Sequence, residues 1–134
     1  MKREVISIVV LGLLSLNCFA HAHKHHHAYV DPSYSSALAA ANHFLQAWQT
    51  EDHESGIGML SDSARQHASS DELQNFFSPG PDAAYEIAHG WRTNAGAYIF
   101  PVVLFSKSGP KHPQASTIVV SRDGRHDWSV DKLP

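Results

Sequence analysis

The sequence predicts an α+β domain in which helices come first and an antiparallel sheet follows. Three observations carry this. Apolar residues recur at steps of three and four from Ala37 to Trp48, the period of a helix. Pro79-Gly80-Pro81 then interrupts the chain. Beyond that break the period falls to two, the mark of half-buried strands.

The chain opens with Lys2 and Arg3, then an apolar run from Val5 to Leu16, then Ala20-His21-Ala22. That run is shorter than the roughly 20 residues a bilayer span needs. A charged start, a short apolar core and a small-residue exit predict a secretory signal peptide over residues 1–22. Cleavage is expected after Ala22, with Ala20 as the second choice, and the product is periplasmic or secreted with no membrane span. Cys18, the one cysteine, falls inside this leader. Thiol chemistry and a disulfide framework are therefore excluded from the mature chain.

Residues 23–35 read as a polar tail with no period. His23, His25, His26 and His27 crowd its beginning, with His21 just before it. Cleavage after Ala22 would place His25 third from a free amine, and cleavage after Ala20 would place His23 third. A terminal amine, two amides and an imidazole form a square plane, which suits Cu(II) or Ni(II). His23, His25, His26 and His27 are the candidate metal ligands. The other histidines, including His43, His53, His112 and His126, are too scattered to form a cage.

The domain proper is expected over residues 36–134. Leu38, Ala41, Leu45 and Trp48 form one helical row, with Ala37, Ala40, Phe44 and Ala47 beside it. Ser35 or Ser36 is the expected N-cap. "HESGIGMLSDSARQH" reads as a second helical stretch weakened by Gly56 and Gly58. Ser69 and Glu72 have capping-box spacing and open a short helix that runs to Phe77. "AYEIAHGW" puts Tyr85, Ile87, His89 and Trp91 on one face of a strand, and "TNAG" turns the chain. "AYIFPVVLFS" is a long strand in which Pro101 marks an edge or a bulge. "STIVVS" and "HDWSVDKL" form a hairpin around Asp123-Gly124.

Charge narrows the partners. Of 10 basic and 13 acidic side chains, Lys2, Arg3 and Glu4 lie in the leader, which leaves 8 against 12. A mildly acidic chain of about 110 residues is one domain. It is not built to bind nucleic acid.

The stretch "ANHFLQAWQTEDHESGIGMLSDSAR", followed by "YEIAHGW" and "HDWSVDKL", resembles the nuclear transport factor 2-like superfamily, which includes ketosteroid isomerase and the SnoaL-type cyclases. The resemblance implies a curved antiparallel sheet wrapped on helices as a cone-shaped α+β barrel with a pocket inside. It also implies pairing through the sheet as a homodimer. Isomerase chemistry needs a base and an oxyanion donor. Phe44 stands where the donor tyrosine is expected and has no hydroxyl. Arg65 to Ser70 offers no carboxylate base, and "STIVVS" offers no late acid. No G-x-S-x-G elbow or phosphate-binding glycine loop is present either.

The candidate pocket residues are Trp48, Tyr85, His89, Trp91 and Tyr98. His67 and His89 are the weak candidates for a catalytic base. The reading taken forward is a small exported protein that catalyses nothing and requires no cofactor. It binds a small apolar ligand or a protein partner in its pocket or on its sheet. The alternatives are an isomerase- or dehydratase-type enzyme using a pocket histidine, and a periplasmic protein that binds Cu(II) or Ni(II) through its tail.

Overall fold

The computed structural model describes residues 31–107, 113–122, 124 and 127–134. Helix α1 spans Pro32–Gln49. It buries Ala37, Ala41, Phe44, Leu45, Ala47 and Trp48, the stripe that the spacing predicts. Its start lies earlier than the serines suggest. Asp31 is the N-cap, accepting from the Ser33 N–H at 3.0 Å, and Pro32 sits in the first turn. Aspartate followed by proline satisfies one orphan N–H and removes another, so it is the stronger stop.

The second helical stretch divides in two. Helix α2 spans His53–Gly58 and α3 spans Asp62–His67, capped by Asp52 and Ser61. The link between them is not slack. Ser61 N–H donates to the Val130 carbonyl at 3.0 Å and Val130 N–H donates to the Met59 carbonyl at 2.9 Å. This bridge covers a sheet edge that would otherwise expose unpaired backbone. Helix α4, Ser70–Phe76, carries the predicted capping box of Ser69 and Glu72. Those bonds hold the Glu72 carboxyl below its usual pKa, the Ser69 backbone bond having the largest effect.

The sheet comprises β1 (Ala84–Ile87), β2 (Trp91–Arg92), β3 (Tyr98–Phe105), β4 (Gln114–Arg122) and β5 (Trp128–Lys132). All described pairings between these strands are antiparallel, in the order β1-β3-β4-β5, and β2 continues along the same side of β3 as β1. The "TNAG" turn is present: Thr93 N–H donates to Ala97 O at 2.8 Å, and Gly96 takes a φ of 86°.

Pro101 lies in the central strand, opposite a bulge. Ile87 pairs with Val102 but Trp91 pairs with Ile99, so the β1–β2 side carries an extra residue. Pro101 O accepts from Ala88 N–H at 2.9 Å. In an antiparallel ladder a residue's N–H and C=O point to the same neighbour. The missing proline N–H therefore falls where the bulge already interrupts pairing. The helices pack on one face of this sheet, so the α+β layout stands as predicted.

Candidate functional site

The register decides which side chains face the helices. Tyr98, Phe100, Val102 and Leu104 alternate inward on β3, with Ile118 and Val120 on β4 and Val130 on β5. From the helix side, Phe44 stacks on Phe76 at 5.9 Å between ring centroids and meets Phe77 edge-on at 5.6 Å. Phe44, Phe77 and Phe100 are 0 % exposed, Tyr98 2 % and Trp48 3 %. The space between helices and sheet is thus packed with side chains. At the position where the resemblance expects a hydroxyl donor, Phe44 supplies one wall of that packing.

The predicted pocket residues do not converge. Trp48 and Tyr98 belong to the buried core. Tyr85 is half-buried, donates to the Asn42 carbonyl at 3.3 Å, and has its pKa raised by burial. Trp91 points to the opposite face of the sheet and is 52 % exposed. The single-face reading of Tyr85, Ile87, His89 and Trp91 is therefore corrected: the extra residue between Ile87 and Trp91 inverts the alternation.

The two histidine candidates lie apart. His89 is exposed and stacks on Tyr34 at 5.2 Å, with its Nδ1 3.1 Å from the Tyr34 hydroxyl. That hydroxyl also accepts from the Gly90 N–H at 3.2 Å. His67 is exposed at the end of α3, where its Nδ1 donates to the Ser63 carbonyl at 2.7 Å. It borders a shallow cleft of about 380 Å³ with Glu72, Phe76 and Leu133. Among the described residues no three His, Asp or Glu side chains form a metal-binding group. His23, His25, His26 and His27 lie outside the described residues.

Two features escaped the sequence reading. Tyr98 Oη donates to Asp31 Oδ2 at 2.7 Å. That bond, with the Ser33 N–H, holds Asp31 below the usual carboxylate range and pushes the Tyr98 phenol up. The Asp31-Pro32 pair signals the cap, but nothing local signals its tyrosine partner. The second feature is an open groove of about 740 Å³ between α1, the α2–α3 link and the start of β5. His43, Met59, Arg65 and Trp128 are among its walls, and Arg65 is paired to Asp62 at 2.8 Å. No helix among the described residues is long and apolar enough to cross a membrane.

No family model and no curated protein sequence matches the chain. Solved structures do. A ketosteroid isomerase-like protein from Erwinia carotovora atroseptica SCRI1043 superposes with a TM-score of 0.53 at 18 % identity, covering 75 % of this chain and 92 % of that one. An uncharacterized cystatin fold protein from Novosphingobium aromaticivorans gives 0.52 at 16 % identity, covering 74 % and 98 %. At such identities the likeness establishes architecture and not activity. Helices followed by a five-stranded antiparallel sheet, with these neighbours, give the chain the nuclear transport factor 2-like fold that its sequence resembles.

Proposed function

We propose that this is an exported, non-catalytic binding protein that pairs with a second copy through the outer face of its sheet. One observation carries the reading. Most of the inner face of the sheet is filled by its own core, while the outer face carries an apolar row, with Glu86 and Thr117 beside it, that nothing covers among the described residues. Trp91 is 52 % exposed there. It pairs with Ile99, which pairs with Val119, and Val103 and Phe105 continue the row, all only half-buried. Such a patch, wider than scattered surface apolar residues, marks an interaction site. Pairing through the sheet is also what the sequence resemblance implies, and the leader supports export.

Sedimentation equilibrium tests this. The chain is expected to be a dimer, and Trp91→Glu is expected to weaken association by roughly 30-fold, the loss of an aromatic anchor worth about 2 kcal/mol. Circular dichroism of that variant should be unchanged. A wild-type chain that stays monomeric at high concentration would defeat the proposal.

The tail supports a second reading, because His25 or His23 stands third from the new terminus whichever cut is used. The mature chain is expected to take one Cu(II), with affinity falling steeply in acid as ligand nitrogens are protonated. Calorimetry on the mature chain and on a deletion of residues 23–27 measures this. Equal copper binding by both would place the metal elsewhere.

A further inference from the structure

Antiparallel register brings two arginines to one end of the inner sheet face. Arg92 pairs with Tyr98 across β2 and β3. Tyr98 pairs with Val120, and Arg122 follows two residues later on β4, on the same face and opposite Trp128. The two arginines therefore flank Tyr98. With Ser33 from the first turn of α1, and with Ser121 and Trp128, they line a cavity of about 250 Å³.

This cavity has the donors of a ligand site and no resident acceptor that uses them up. Neither Arg92 nor Arg122 makes an ion pair among the described residues. The Arg122 guanidinium lies 5.1 Å from the centroid of the Trp128 ring, a cation–π contact that holds the fork in place. Trp128 Nε1–H is buried with no hydrogen-bond partner. Asp31 is the negative group near Arg92, but its oxygens are engaged by the Tyr98 hydroxyl and the Ser33 N–H. The cavity lining carries two guanidiniums and no carboxylate.

The geometry points to a binding site for a small oxyanion, a phosphate or carboxylate group held between Arg92 and Arg122. The planar guanidinium fork matches both groups, offering two parallel N–H donors to two oxygens. The cavity lies just below the ~300–1,000 Å³ of ordinary small-molecule pockets, which restricts the ligand to a small one. This site goes beyond pairing through the sheet. It lies on the other face and does not depend on Trp91.

The test is a two-dimensional ¹H–¹⁵N NMR titration of the labelled chain with inorganic phosphate and, separately, succinate, at constant ionic strength set with sodium chloride. Saturable shifts are expected at the Trp128 indole N–H and at the Ser33 and Gly96 amides. Saturation by phosphate alone, by succinate alone or by both assigns the group within the oxyanion class. The double variant R92Q/R122Q should bind at least roughly tenfold more weakly, because both charge-assisted forks are lost. Both arginines are exposed, so the variant should keep its spectral dispersion. If it does not, R92K/R122K, which keeps the charge but loses the fork, should still weaken binding severalfold. Shifts linear in both ligands for the wild type, or unchanged affinity in the dispersed variant, would overturn the site.

Discussion

Replacing Phe77 with alanine is expected to remove about 3–5 kcal/mol of folding stability. Phe77 is fully buried and joins three helices. Its ring meets Phe44 of α1 at 5.6 Å, Phe76 of α4 at 5.0 Å and His53 of α2 at 5.9 Å. Gly56 of α2 approaches it so closely that a Cβ there would stand 2.1 Å from Phe77 Cε1. The helices cannot easily close over the vacated volume, because α1 is packed on the sheet and α2 is tied to it by the Met59–Val130 bridge. A cavity that cannot collapse costs more than transfer free energy alone. Domains of this size have only about 5–15 kcal/mol in hand, so the variant should unfold at a much lower urea concentration. A loss under about 1 kcal/mol in urea denaturation would mean that the aromatic cluster is not the centre of the core.

How much of this was legible follows from how far each signal reaches along the chain. The α1 stripe is written locally, since residues three and four apart share a face. The capping box of Ser69 and Glu72 is equally local and was found. The start of α1 was also written locally, in Asp31-Pro32, but Ser35 and Ser36 competed as caps. The bulge was partly written. Pro101 announced it, yet on β3, while the extra residue sits on the opposite strand. The TNAG turn fixes Arg92 opposite Tyr98, but Asp31 with Tyr98 and Arg122 beside them depend on contacts across long connections that no local pattern fixes. The basic run from Arg122 was visible in the sequence, but its meeting with Arg92 and Trp128 was not. Composition made the histidines conspicuous, and the fold leaves His67 and His89 exposed and apart.

The misread face leads to the second large effect, at Gly90. Its backbone passes so close to β3 that a Cβ would stand 2.4 Å from the Ile99 carbonyl oxygen and 2.4 Å from Phe100 Cδ1. The oxygen belongs to the backbone of the central strand and cannot rotate away. The ring is fully buried among Tyr34 and Tyr98. Gly90→Ala is therefore expected to cost about 3 kcal/mol, the upper part of the range for forcing extra carbon into a packed site. Two further bonds are at stake, because Gly90 N–H donates to the Tyr34 hydroxyl, whose other partner is His89. Lifting β2 from β3 would relieve the clash. That would loosen Trp91 on the outer face and Arg92 on the inner one together, since the two are successive residues of the same strand. The substitution should thus lower the urea midpoint and weaken both dimerisation and oxyanion binding, whereas Trp91→Glu should touch only the first and R92Q/R122Q only the second. An unchanged urea midpoint in Gly90→Ala would show that β2 is free to move and that the bulge does not require glycine.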